Sequence, residues 1–252
     1  LEACKRDIAR GDIILANMLF LEDHIRAILP DLEARREACD AMVGFIAGSE
    51  IVRLTRLGGF RMDAPQKGPL ALLKKLRGKK SKQGSGAGAQ QMAVLRRLPK
   101  ILRFIPGTAQ DVRAYFLCMQ YWLAGSDENM ANMVRFLVNR YADGERKRLR
   151  GQLEPSLPVH YPDTGVYHPS LPNRVSTRLE DLPRPETSKG TVGVLVMRSY
   201  ILAGDTRHYD AVISALEGRG LRVITAFASG LDAREAVDAY FVQDGAPTID
   251  AL

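Results

Sequence analysis

Several features that would quickly class a protein are missing from this sequence. No run approaches the ~20 apolar residues that a membrane-spanning helix needs, so no transmembrane segment is expected. No apolar stretch closely follows the basic residues of LEACKRDIARGD, so a secretory signal is not expected either, and the location read from this is cytoplasmic. There are only three cysteines, Cys4, Cys39 and Cys118, far apart and without CxxC or Cys/His ligand spacing. That argues against a disulfide framework or a zinc site and for free thiols in a reducing compartment. No GxxxxGK[ST] occurs, which excludes a P-loop ATPase in this chain. No Ser/His/Asp, Cys/His or paired-carboxylate arrangement can be assembled from local spacing, so no catalytic residue is assigned and no metal-ligand set is proposed.

Acidic residues are absent from 71–103, which carry ten lysines and arginines. The formal net charge is +7, so the remainder of the chain is net negative. The basic character belongs to one segment. Aromatic side chains are not interleaved with its charges, so nucleic-acid binding is not expected, and a solvated or partner-docking patch is the better reading. The run SKQGSGAGAQQ follows a Lys-rich tract rather than a strand, so it reads as a linker and not as a phosphate loop.

The remaining sequence, 46% hydrophobic over 252 residues, is ample for a buried core. Residues 1–62 alternate strand and helix signals. Asp12–Phe20 and Met42–Ala47 read as strands, Glu22–Cys39 as a helix that Pro30 kinks or breaks, and Ser49–Leu57 as a second helix. Short joints between them imply parallel strands and a Rossmann-like sheet. A basic Gly-rich linker is expected over 63–90 and a helical segment over 91–150. In that segment Met92, Leu95, Leu98, Ile101 and Ile105 share a face, and Met119, Trp122 and Met133 are read as core. Residues 151–190 hold a cluster of prolines and read as an extended connection, with His160 and His168 on a surface loop. Residues 191–252 read as a βαβα start of a second α/β unit: strand Thr191–Met197, helix Tyr209–Glu217, strand Leu221–Ala228, helix Asp232–Phe241. The fold class expected is therefore α/β.

The loop between the first strand and helix of that last unit, MRSYILAGDTRHYD, sits at the carboxyl end of a parallel strand, where open sheets bind ligands. Arg198 there suits a carboxylate or phosphate. His208, at a helix N-terminus that disfavours the imidazolium, suits a ligating or proton-accepting role. Arg198 and His208 are the candidate ligand-binding residues. The competing reading gives them structural partners, Asp205 for Arg198 and a backbone carbonyl for His208, with Asp205 or Thr206 capping the helix.

The stretch VGVLVMRSYILAGDTRHYDAVISALEGRGLRVITAFASGLDAREAVDAYF resembles the large-subunit family of magnesium chelatase and cobaltochelatase. FLED, GSEIVRLTRLGGFRM, SDENMANMVRFLVNRYADG and VYHPSLP upstream resemble its magnesium branch, in the family's order. The resemblance implies a much longer subunit that binds protoporphyrin IX while Mg²⁺ is inserted, in chlorophyll and bacteriochlorophyll biosynthesis. ATP is then hydrolysed by separate AAA+ motor subunits. The chain lacks an initial Met and is expected to be an N-terminal piece, inactive alone, with the metal-insertion residues beyond residue 252. The cobalt branch, acting on a corrinoid precursor, and a non-catalytic docking module for the motor are the alternatives.

Overall fold

In the structure, a computed structural model that describes residues 1–64, 99–230 and 232–252, the chain divides into two units. One comprises 1–123 with 129–158, the other 124–128 with 159–252. The linker expected over 63–90 lies outside the described residues from 65 onward, as do Met92, Leu95 and Leu98 and most of the basic 71–103 segment.

The first unit is organised by its most apolar strand. The elements begin with α1 (Glu2–Arg10), β1 (Ile13–Asn17), α2 (Glu22–Arg35) and β2 (Ala41–Phe45). All five residues of β2 are buried, as a strand covered on both faces requires. β1 pairs with β2 in parallel, Ile13 opposite Ala41 through Asn17 opposite Phe45. Alternation sends Ala41, Val43 and Phe45 to one face and Met42 to the other. On the first face they pack with Val112, Tyr115 and Cys118 of α4 (Thr108–Ala124) and Leu137 of α5 (Asp127–Tyr141). Trp122 packs edge-on to Phe45, with ring centroids 6.0 Å apart. On the second face Met42 joins Ile8, Ile25, Ile28 and Leu32 of α1 and α2. Each such fully buried side chain contributes about 1.5–3 kcal/mol of transfer free energy.

Two expectations for this unit are corrected. The helix α2 runs through Pro30 without a break. Proline removes one N–H and so orphans the carbonyl a turn earlier; here both Pro30 and Arg26 are exposed, so the missing bond falls on the solvent-facing side of α2. The second helix, α3 (Ser49–Arg53), is much shorter than expected and leads into a hairpin, β3 (Arg56–Leu57) and β4 (Phe60–Arg61). β3 pairs antiparallel with β2, and β4 with β3, so the sheet β1-β2-β3-β4 is mixed, with one parallel pair, instead of the parallel Rossmann-like sheet expected. The physical reason is local. Gly58 takes φ +53°, the left-handed conformation of a tight hairpin turn. The preceding buried Thr55 fixes the approach, its hydroxyl accepting from the Gly44 N–H at 2.9 Å and donating to the Gly44 carbonyl at 3.1 Å.

Arg36 ties this corner together. Its guanidinium donates to both carboxylate oxygens of Asp63, at 2.6 and 2.7 Å, and to the Leu54 carbonyl at 3.0 Å. That pairing holds the Asp63 carboxyl down at about 2 against an ordinary 3.8. A depressed carboxyl stabilises the fold above its unfolded pKa and ceases to do so as pH falls through its folded one. Asp63→Asn is therefore expected to lower stability by about 1 kcal/mol at neutral pH, after allowing for partial solvent screening. The gap between wild type and variant should close as pH falls from 3.8 through about 2. Urea midpoints of both proteins across that range check it.

The thiols follow burial. Cys39 and Cys118 are buried and Cys4 is exposed. Burial pushes the Cys118 thiol up to about 12 and raises that of Cys39 as well. Only thiolates react readily, so an aromatic disulfide reagent at pH ~8 is expected to label Cys4 alone in the native chain and all three cysteines in denaturant, read by peptide mapping.

The second unit contains β5 (Thr164–Tyr167), β6 (Val175–Ser176), β7 (Thr191–Met197), α6 (Arg198–Leu202), α7 (Arg207–Glu217), β8 (Arg222–Ala228) and α8 (Arg234–Tyr240). A short hairpin of β9 (Val242–Gln243) and β10 (Ala246–Pro247) follows. The sheet order is β6-β5-β8-β7, parallel between β7 and β8 and antiparallel elsewhere. Val223 and Phe227 face Ile213 of α7, whereas Ile224, Ala226 and Ala228 face Ala236 and Tyr240 of α8. The proline-rich stretch is thus more than a connection. Between Pro162 and Pro169 lies a proline-free window whose N–H groups are all available, and β5 forms there as an inner strand. His168, read as a surface residue, is buried and lies 3.1 Å from the Glu217 carboxylate and 2.7 Å from the Ser170 hydroxyl.

Candidate functional site

The loop singled out from the sequence does stand at the carboxyl end of β7, but its two candidate residues go different ways. Arg198 follows the strand directly as the first residue of α6 and is only 7% exposed. Its guanidinium donates to the carbonyls of Pro162 at 3.0 Å and Tyr161 at 3.3 Å, with the Asp163 carboxylate 4.0 Å away. Those carbonyls belong to the segment that leads into β5, so Arg198 fastens that segment to the end of β7. Its acidic neighbour is Asp163 rather than Asp205.

His208 is exposed on the first turn of α7. Its ring centroid lies 3.9 Å from that of Tyr209 and 5.3 Å from that of Tyr200, so the three rings form one aromatic group, with His208 and Tyr200 exposed and Tyr209 half-buried against the core. The structure therefore does not bring Arg198 and His208 together. One carries structure inside, and the other stands at the surface beside the exposed ring of Tyr200.

Beneath this group lies a polar cluster that sequence reasoning missed. Thr206 is buried at the start of α7, and no side-chain cap bond forms there. Its hydroxyl instead receives a hydrogen bond from Arg174 at 2.6 Å. Arg174 also pairs with the Asp210 carboxylate at 3.3 Å, and the Tyr167 hydroxyl donates to Asp210. Burial, then the Asp210 hydrogen bond, raises the Tyr167 phenol, keeping it a proton donor. The residues come from β5, the β5–β6 turn and α7, far apart in sequence. The only cue was that Tyr167 falls in VYHPSLP and Asp210 in the loop itself.

The first unit has a polar pocket of about 610 Å³, lined among others by Cys39, Asp40, Arg56, Asp111, Arg140 and Tyr141. Its size suits a small molecule, but many of its polar groups are already engaged within the fold. Asp111 accepts from Arg140 at 3.1 Å, the Tyr141 hydroxyl at 3.0 Å and the Gly59 N–H at 3.0 Å. Asp40 accepts from Nε and Nη2 of Arg146, each at 2.9 Å, which lowers its pKa. Arg56 donates to the carbonyls of Arg36 and Cys39. Such an arrangement holds loops in place. Among the described residues no group of three or more His, Cys, Asp or Glu could hold a metal ion, and no helix is long and apolar enough to cross a membrane.

Comparison with known proteins gives the class. A family profile described as CobN/Magnesium Chelatase matches residues 119–252, and one described as a domain of unknown function, DUF3479, matches residues 1–116. The chain belongs to the CobN/magnesium chelatase family. Within it, the chain is similar to the magnesium-chelatase H subunit of Cereibacter sphaeroides, 54% identical over 252 residues, all of this chain and 21% of that protein. It is similar to the corresponding H subunit of Rhodobacter capsulatus, 50% identical over 240 residues, covering 95% of this chain and 20% of that one. The chloroplastic magnesium-chelatase ChlH subunit of Oryza sativa subsp. indica is 31% identical over 263 residues, covering 98% and 18%. The chain thus spans about a fifth of the length of the curated relatives it matches.

Proposed function

We propose that the complete protein to which this chain belongs binds protoporphyrin IX while Mg²⁺ is inserted, in an ATP-dependent reaction of chlorophyll or bacteriochlorophyll biosynthesis. Metal and porphyrin are both substrates, and ATP is hydrolysed by AAA+ partner subunits in the cytoplasm. The observation that carries this reading is the 54% identity to a magnesium-chelatase H subunit sustained along all 252 residues. Magnesium is favoured over cobalt because the relatives at 50% and 31% identity carry the magnesium name as well.

Metalation of a porphyrin needs a flat apolar wall, cations for the propionates and acceptors for two pyrrole protons. In this reading, residues 191–252 open the chelatase core domain and supply part of the wall. His208, exposed beside Tyr200 and Tyr209, is the ligand contact at this end of β7. Arg198 acts as a positioning residue through the segment it anchors. The proton acceptors belong to the rest of the protein.

Titrating the full-length subunit with protoporphyrin IX and following tryptophan emission tests the reading. Saturable quenching is expected, and its absence would overturn porphyrin binding. His208→Ala is expected to weaken that binding about fivefold, the worth of one aromatic contact at ~1 kcal/mol, with the melting temperature unchanged. An unaltered Kd would remove His208 from the site.

A further inference from the structure

β7 is an edge strand in the order β6-β5-β8-β7, yet its free edge is already engaged at one end. Asp250 donates its N–H to the Thr191 carbonyl at 2.8 Å, and its carboxylate accepts the Thr191 N–H at 2.7 Å. Gly193 donates to the Ala251 carbonyl at 2.8 Å, and Val192 and Ala251 form a parallel bridge. Residues 250–251 thus run alongside β7 in its own direction. Gly193 also lacks a side chain where one is needed least: a Cβ there would lie 2.6 Å from Ile249 and 3.3 Å from Leu252, so the incoming segment packs directly on the strand.

Further along β7 that edge has no backbone partner among the described residues, and the face beside it is partly exposed. Alternation points the N–H of Leu195 outward, as it does those of Thr191 and Gly193, while Val194 and Val196 turn toward β8. Leu195 and Met197, on the same face as Gly193, are 38% and 47% exposed. The Met197 N–H is taken by the Tyr209 hydroxyl at 3.2 Å. A half-exposed apolar edge is an aggregation hazard in a finished sheet.

We infer that β7 is an inner strand of the complete subunit, and that the chain continuing past Leu252, in a protein of the relatives' length, runs parallel to it and covers Leu195 and Met197. The register set by Val192 against Ala251 puts the residue after Leu252 opposite the Leu195 N–H. The sheet order becomes β6-β5-β8-β7 followed by the new strand. β7 then connects to β8 on one side while the chain from β8 crosses to the new strand on the other, so the carboxyl end of β7, beside the new strand, is a topological switch point, where open sheets leave a ligand crevice. Met197, Tyr200 and His208 stand at that end.

The inference rests on family membership and the strand pairing, and is independent of metal or porphyrin, so its test can fail while the proposed function stands. Hydrogen exchange with residue resolution on the full-length subunit reads it directly. The Leu195 amide is expected to exchange as slowly as those of Val194 and Val196, within about tenfold. Exchange at Leu195 faster by about 100-fold or more would overturn it. Leu195→Pro in the same protein is a second arm: an inner strand loses protection throughout β7 and β8, whereas an edge strand tolerates the proline, so unchanged protection in β8 would also overturn it.

Discussion

Replacing Arg198 by alanine is expected to weaken the unit containing 159–252 by about 2–3 kcal/mol, through loss of a buried charged donor to two part-buried carbonyls. The guanidinium is 7% exposed and bonds the carbonyls of Tyr161 and Pro162, so its removal leaves those acceptors without their donor and frees the segment entering β5. The loss should appear as faster hydrogen exchange at β5 and at the β8 residues paired with it, Ala226–Ala228. Arg198→Lys should recover only part of it, because one ammonium lacks the planar fork that reaches two carbonyls. A ligand-only role for Arg198 predicts the opposite pattern: exchange unchanged and porphyrin affinity reduced.

The second large effect is expected at Gly44→Ala, which should destabilise the first unit by about 3 kcal/mol or more. A Cβ at Gly44 would meet the Ile51 carbonyl oxygen at 2.3 Å and the Val52 Cα at 3.1 Å. Those are backbone atoms of α3, so no rotamer change relieves the overlap; α3 itself has to move. It would also disturb Thr55, whose hydroxyl satisfies both backbone groups of Gly44. Denaturant unfolding of variant and wild type checks this, and a loss under ~1 kcal/mol would show that α3 shifts freely.

The contrast between these two sites shows what could be read from sequence. The run MVGFIA announces a buried strand by composition alone, and β2 is that strand. The periodic residues of α4 and α5 likewise announce a core face, and Val112, Tyr115, Met133 and Leu137 lie in it. The antiparallel turn of β3 was hidden because it depends on Thr55 reaching back to Gly44, a contact between residues that no local period relates. β5 was hidden because the prolines around it dominate the composition, although none falls within Thr164–Tyr167. At the candidate site the position of the loop at the carboxyl end of β7 was legible, because strand and helix signals flank it. The fate of each side chain was not. Whether Arg198 turns in or out depends on where Tyr161 and Pro162 lie, and the Tyr167–Asp210–Arg174 cluster needs three separate segments brought together.

The proposal that this chain is part of a magnesium-inserting subunit is tested most directly by reconstitution. The full-length subunit is combined with the AAA+ subunits proposed as its partners, protoporphyrin IX, Mg²⁺ and ATP, and the fluorescence of the metalated porphyrin is followed. The account predicts Mg-protoporphyrin formation that requires both the subunit and ATP, and no cobalt insertion into a corrinoid precursor under matched conditions. Cobalt insertion without magnesium insertion would contradict it.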